Sequence, residues 1–229
     1  MTGRRSAGFI VVTVGFLWLT TALAAVAFWP VYRSWAFVLA VAVALVGATA
    51  VSVLGAVLRW QSPFVLLGTV AVFLIAGVPV AVPSKAQAGV LPTLEGLLDL
   101  ITGVALGWRQ LLTITLPVGD YQALLVPAFA LVLVTTALGL GFALRTRVPE
   151  VGVLAPVVVF VVAVAFGPQV PERPVEVPIA LLAGVLLWLA WLRWYRRRSA
   201  IRRLALQAGA PDAVRPDTGT AGLRTVLGA

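Results

Sequence analysis

The amino-acid sequence predicts an all-α fold: a polytopic transmembrane helix bundle of about six spans, with an extracytoplasmic interfacial helix between spans three and four. Three observations lead there. The chain is 61% hydrophobic and only 11% charged, whereas soluble domains carry about 25% charged and about 45–50% apolar residues. It contains six apolar runs, each near the roughly 20 residues needed to cross about 30 Å of hydrocarbon. Charged side chains lie between those runs, the exception being Arg193 at the extreme end of the last, where it can snorkel to headgroups. A soluble fold of this size needs polar groups to cover its surface, and lipid removes that need.

The runs fall at residues 8–29, 36–58, 64–82, 124–144, 151–167 and 177–194. The first follows Arg4 and Arg5 as a secretory leader would, but its apolar stretch exceeds the 7–15 residues of such a leader, and five more runs follow. It reads as an uncleaved first helix. The fifth is the shortest, bounded by Pro149 and Pro168. Pro79, Pro127 and Pro156 lie inside the third, fourth and fifth runs and predict kinks there.

Direction follows from Lys and Arg placement. With the N-terminus inside, Arg4, Arg5, Arg59, Arg145, Arg147 and every arginine from Arg193 onward are cytoplasmic, which leaves only Arg33, Lys85, Arg109 and Arg173 outside. Both chain ends are therefore expected in the cytoplasm of a multi-pass cell-membrane protein. Trp29, Trp35, Trp60, Trp188, Trp191, Trp194 and Tyr195 stand near span ends, where amphipathic rings prefer the interface. The formal net charge of +9 is thus a topogenic and lipid-facing charge. It does not point to nucleic acid.

Lipid tails are as apolar as leucine, so helices in a bilayer associate through close packing of small residues. The second span places Ala36, Ala40, Ala44, Ala48, Ser52 and Ala56 at spacing four. The fourth repeats the pattern in Thr135, Gly139 and Ala143, with Ala137 and Gly141 beside them. These are expected helix-packing faces within the bundle, a homodimer face being the lesser option.

Residues 83–123 form the expected external segment. Leu91, Leu94, Leu97, Leu98, Ile101, Val104 and Ala105 recur with helical period, and Glu95, Asp99 and Thr102 form a narrow polar stripe. A helix over 91–106, lying at the outer interface or against the bundle, is expected. After it, Trp108 and Tyr121 are candidate interface anchors, and Pro117, Gly119 and Asp120 are turn residues leading into the fourth span. Glu95 and Asp99 lie one helical turn apart and invite an acid–base or cation-site reading, but no third ligand or nucleophile is spaced to join them. Asp120 and Arg109 admit a buried pair, but read first as residues that cap and solvate the external loop. The chain contains no Cys and no His, which removes thiolate nucleophiles, imidazole bases and Cys/His zinc sites. No catalytic residue, metal ligand or cofactor site is assigned.

The domain reading is a transmembrane unit over residues 1–198 and a flexible cytoplasmic tail over 199–229. Within the tail, residues 222–229 turn apolar again, like the first turn of a further span.

The segment Gly107–Tyr121 with Gln122-Ala123-Leu124-Leu125-Val126-Pro127, and the span end Trp191-Leu192-Arg193-Trp194-Tyr195-Arg196-Arg197-Arg198, resemble the N-terminal membrane region of actinobacterial transglutaminase-like membrane proteins of the TgpA type. The shared patterns are GW-[KR]-x-LLT…LPVG-x-Y ahead of an LLVP helix, and W-x-R-x-x-R-R-R. The resemblance implies a multi-spanning anchor, a further span, and an extracytoplasmic domain with a Cys-His-Asp triad in which a thiolate attacks an acyl group. No triad residue can be carried over to this chain. The expected function is a non-catalytic membrane domain that anchors or positions such an enzyme. Its partners are the lipid bilayer and a transglutaminase-like domain or neighbouring membrane protein. The alternatives are a transporter or channel subunit, and an accessory subunit docking a partner through the external helix, the candidate docking residues of the external segment being Glu95, Asp99, Trp108, Arg109, Pro117, Gly119, Asp120 and Tyr121. Against transport, the spans offer only hydroxyls such as Thr13, Thr20, Thr21, Thr49, Ser52, Thr69, Thr135 and Thr136, expected to bond their own helix carbonyls.

Overall fold

The computed structural model describes residues 7–87, 91–111, 124–146, 148–167 and 175–207, with side chains described as far as residue 198. Among them run α1 (Ala7–Val26), α2 (Trp29–Tyr32), α3 (Trp35–Val57), α4 (Ser62–Ala81), α5 (Leu94–Leu111), α6 (Leu125–Arg145), α7 (Leu154–Phe166) and α8 (Glu176–Gln207). Short 3-10 turns, Pro83–Lys85 and Pro149–Val153, precede a small antiparallel pair, β1 (Ala86–Gln87) with β2 (Leu91–Pro92), and α7 respectively. Six segments are long and apolar enough to cross a membrane: Ala7–Val26, Trp35–Val57, Ser62–Ala81, Leu125–Arg145, Pro149–Phe166 and Glu176–Arg198. The chain is a multi-pass helical bundle of the expected class. The fifth span is the short one. α7 itself has 13 residues, and the segment reaches 18 only with its preceding 3-10 turn.

Local chemistry sets the turns. α1 stops at Val26, three residues short of the run read from sequence. Trp29–Tyr32 forms its own turn, with Pro30 at a first-turn position where the missing N–H costs nothing. Arg33 closes that turn in a left-handed conformation, φ 44°, its N–H bonded to Trp29 O at 2.9 Å. α3 then opens on Ser34, whose hydroxyl accepts from the Ala36 N–H at 3.0 Å. At the other end of α3, Arg59 is left-handed, φ 55°, and the Trp60 N–H reaches back to Gly55 O at 2.9 Å. That is a Schellman closure with arginine where glycine is usual.

α6 is the centre of the bundle. Of its apolar window 61% is buried, against 44% for α3 and 39% or less for the other spans. Its most extensive packing is with α3. Ala40, Ala44, Ala48 and Ser52 of α3 are all buried, and Ser52 Oγ donates to Ala137 O of α6 at 3.2 Å. The ends of the row, Ala36 and Ala56, are only half-buried, because every fourth residue drifts around a helix with 3.6 residues per turn. Gly139 and Ala143 serve a second face of α6. A Cβ added at Gly139 would stand 2.6 Å from Ala155 Cβ and 3.2 Å from Gly152 O, and one added at Gly152 would stand 3.2 Å from Ala143 Cβ. α6 therefore presents small residues both to α3 and to the turn that starts the fifth span.

Two expectations about prolines are corrected. Pro127 and Pro156 are the third residues of α6 and α7, as the helix bounds show. First-turn N–H groups have no intrahelical acceptor, so proline is tolerated there without an interior break. Among the three, only Pro79 lies inside a helix, α4.

The chain divides into two compact units, Met1–Trp188 and Leu189–Ala229. In the second, Trp191 and Tyr195 stack with centroids 5.5 Å apart, and the Arg198 guanidinium lies 4.0 Å from the Trp194 ring centre. α8 runs on to Gln207, so residues 199–207 are helical where the sequence reading starts a flexible tail. Arg, Ala, Leu and Gln are strong helix formers, and extending an existing helix is far easier than nucleating one. The rest of the expected tail, 208–229, lies outside the described residues.

Substituting Ala48→Leu should overfill the α3–α6 seam and lower stability by about 1–3 kcal/mol. Leu39→Ala, on a residue 55% exposed, should leave the melting temperature in detergent nearly unchanged. Thermal unfolding of the two purified variants checks both.

Candidate functional site

The polar chemistry concentrates where α4 ends and α5 begins. The 3-10 turn Pro83–Lys85 and the β1–β2 pair bring residue 85 next to residue 95. Thr93 knits the junction: its hydroxyl donates to Lys85 O at 2.5 Å and accepts from the Gly96 N–H at 3.1 Å. The second of these bonds is an N-cap on α5. It explains why the helix starts at Leu94 and not at Leu91, which is held in β2. Lys85 Nζ lies 2.8 Å from Glu95 Oε2, with Glu95 in the first turn of α5, where the helix dipole favours an anion.

Hydrogen bonding to Lys85, and then its charge, hold the Glu95 carboxyl below its usual range. The same bond and charge raise the Lys85 ammonium above its usual value, with Asp99 adding a smaller pull. The pair's contribution is present at neutral pH. It fades as pH falls through the lowered Glu95 value, and again as pH rises through the raised Lys85 value. Both groups are largely in solvent, so the pair orders this corner more than it stabilises the fold. Among the described residues no group of three or more acidic side chains gathers as a metal site would.

α5 divides into three faces. Gly96, Leu100, Gly103, Gly107 and Leu111 are buried. This face packs on the bundle: Cβ atoms built on Gly96, Gly103 and Gly107 would stand 2.6 Å from Val78, 3.1 Å from Val126 and 2.6 Å from Pro127. Leu94, Leu98 and Ile101 form a second, exposed face. Glu95, Asp99 and Thr102 form the third, Glu95 and Thr102 exposed and Asp99 half-exposed, with the Thr102 hydroxyl donating to Leu98 O at 2.8 Å. The expected polar stripe is present, but the seven apolar residues that announced the helix do not make its buried face. Leu97 is half-buried and the others, Leu91, Leu94, Leu98, Ile101, Val104 and Ala105, are exposed. The arrangement has a physical reason. Against a membrane bundle the closest approach is given by glycine, and leucines lose nothing by facing lipid. The signal was in the sequence as Gly103-x-x-x-Gly107, one helical turn apart.

α5 also runs five residues past its expected end at Leu106, so Trp108 and Arg109 are helical. Trp108 is half-buried and packs on Phe166 at the end of α7, ring centres 4.9 Å apart. The anchor expected of Trp108 is made, in part, to the bundle itself. Arg109 is exposed. Pro117, Gly119, Asp120 and Tyr121 lie outside the described residues. The next described residue, Leu124, is tied by a contact that sequence reasoning missed. Tyr32 OH donates to Leu124 O at 3.0 Å from a fully buried ring stacked on Phe37, centroids 4.9 Å apart. Burial pushes that hydroxyl well above the usual tyrosine range.

Inside the spans the hydroxyls split. Thr20, Thr49, Thr69 and Thr135 donate to their own helix carbonyls as expected, and Thr49 also accepts from Trp18 Nε1 at 2.7 Å. Ser52 crosses to α6. The hydroxyls of Thr13, Thr21 and Thr136 and the Trp188 indole N–H are buried without a hydrogen-bond partner among the described residues.

Comparison with protein-family models, with curated proteins and with solved structures finds no match for this chain.

Gly107→Leu should lift the end of α5 from Pro127. The expected outcome is a loss of about 1–3 kcal/mol and new protease cleavage at Arg109, while Leu98→Ala leaves both unchanged. Thermal unfolding with limited proteolysis in detergent measures the two effects.

Proposed function

We propose that this chain is a non-catalytic membrane scaffold that holds a transglutaminase-like enzyme domain at the outer face, with both of its termini in the cytoplasm. The observation that carries the reading is the build of α5. It is seated on the bundle by glycines at one end of the spans, while Leu94, Leu98 and Ile101 stay uncovered beside Glu95, Asp99 and Thr102. A helix fixed along one side and amphipathic along the other is a docking edge for a domain standing at the membrane surface. The absence of Cys and His from the chain means that thiolate and imidazole would come from the docked domain. Its identity as a transglutaminase-like enzyme rests on the resemblance carried by Gly107–Pro127 and by Trp191–Arg198. The orientation rests on the crowding of arginines at the ends of the even-numbered spans and beyond Arg193.

A second reading, a transporter or channel subunit, draws on one observation: the unpartnered buried hydroxyls of Thr13, Thr21 and Thr136 with the Trp188 N–H. Polar groups inside a bundle can line a path for solute. No ionisable side chain lies among those four, and the scaffold reading is favoured.

Because the chain has no cysteine, single introduced thiols report cleanly. Ser84→Cys should react with an impermeant maleimide applied outside intact cells. A photocrosslinker at position 98 should capture a protein with a Cys/His catalytic domain, and one at position 39 should not. Labelling of Ser84→Cys only after permeabilisation, or saturable solute flux in proteoliposomes without any crosslinked partner, would overturn the scaffold reading.

A further inference from the structure

α4 and α6 do not close on each other along their whole length. Between them lies an elongated cavity of about 510 Å³, lined by Leu66, Thr69, Phe73, Val134, Leu138 and neighbouring apolar residues, with Val104 of α5 at one end. From Ser62 to Phe73 it extends roughly 16 Å at 1.5 Å per residue. That matches one leaflet, half of the roughly 30 Å hydrocarbon core. Leu66, Val70, Leu138 and Phe142 are all more than two-fifths exposed, so the groove opens sideways, toward lipid.

Its far end is chemically different. Ser62, Arg145 and Thr146 close it. Arg145 is the last residue of a membrane-spanning helix, and its Nη1 donates to Trp60 O at 3.2 Å. The guanidinium lies over Gly55, where any Cβ would collide with it. Its Nε and Nη2 are buried without an acceptor, and no carboxylate among the described residues pairs with it. An arginine with five donors, one of them bonded to a backbone carbonyl, at the edge of hydrocarbon is an uncompensated charge. The N-terminus of α4 stands at the same end. Its N-cap residue, Gln61, makes no side-chain capping bond, so the positive end of the α4 peptide dipoles adds to the guanidinium.

We propose that the α4–α6 groove is a binding site for one anionic glycerophospholipid, with an acyl chain along the groove and the phosphate at Arg145 and the α4 N-terminus. An apolar slot of leaflet length ending in unpaired positive charge has the complementary shape and charge for that molecule. A phosphate approaching the exposed Nη1 side of the guanidinium compensates the charge that the protein leaves unpaired. A partner's apolar helix would fill the slot but leave the arginine unpaired. The inference needs only the membrane-spanning fold and is independent of the scaffold function.

The test uses the full chain purified in mild detergent, given phosphatidylglycerol or phosphatidylcholine, with retained lipid counted by native mass spectrometry. One phosphatidylglycerol should be retained about tenfold or more tightly than phosphatidylcholine, the ratio expected for a charged hydrogen bond. Arg145→Gln should erase that preference and Arg145→Lys should keep part of it. Gly141 lines the groove, and a Cβ built on it has nothing within 4 Å. Gly141→Leu should therefore fill the slot and abolish retention of either lipid while leaving the melting temperature of the lipid-free protein unchanged. Inorganic phosphate at millimolar concentration should not displace the lipid. Equal retention of the two lipids, full retention by Gly141→Leu, displacement by inorganic phosphate, or a co-purifying peptide in place of lipid would each overturn the proposal.

Discussion

The structure depends on how closely helix backbones can approach where burial of apolar surface provides no drive. In water the leucines and valines of these helices would collapse together. In lipid they are already solvated, so dispersion contact and a few hydrogen bonds decide which faces meet. Small residues set that distance. α3 turns Ala40, Ala44, Ala48 and Ser52 inward. α6 answers with Ala137 on that side and with Gly139 and Ala143 on another, which is how one helix occupies the centre. α5 uses the same device with Gly96, Gly103 and Gly107. Large side chains such as Leu39, Val46, Leu66 and Leu138 are left pointing outward.

Several polar groups are then spent on contacts between segments. Ser52 and Tyr32 each spend a hydroxyl on a carbonyl of another segment, at Ala137 and Leu124. Both bonds lie in apolar surroundings, where competition from water is weak and losing a partner is costly. Arg145 bridges α6 to the α3–α4 turn through Trp60 O, and Lys85 with Glu95 pins the start of α5. The Tyr32, Arg145 and Lys85 contacts lie at helix ends, while Ser52 ties α3 to α6 within the spans. The proposed docking edge and lipid groove both follow from this plan. One is the uncovered side of α5, and the other is the gap left between α4 and α6.

Much of this was legible in the sequence, and the failures share a cause. The six spans could be read because excluding charge from runs of about 20 residues is a demand of the bilayer alone. The α3 seam could be read because alanine at every fourth position has no other purpose. The seat of α5 was not legible from its period, because apolar spacing marks a helix without saying which face packs on the bundle. Here the stripe of Leu94, Leu98 and Ile101 is outside and glycine is inside. Pro127 and Pro156 were read as kinks because a hydrophobic run does not reveal where its first turn begins. α8 outlasted its apolar run because helix propensity, not hydropathy, governs residues 199–207. Contacts such as Tyr32 with Leu124, or Arg145 over Gly55, join positions distant in sequence, and no local pattern marks them.

Oxygen accessibility of spin labels placed along α3, on the cysteine-free chain reconstituted in liposomes, tests the packing most directly. Labels at positions 39, 46 and 54 should collide freely with oxygen dissolved in the lipid, while labels at 44 and 48 should be shielded, the signal alternating with helical period. Equal accessibility at all five positions, or shielding at 39 and 46 with exposure at 44 and 48, would contradict a bundle held at its alanine seam.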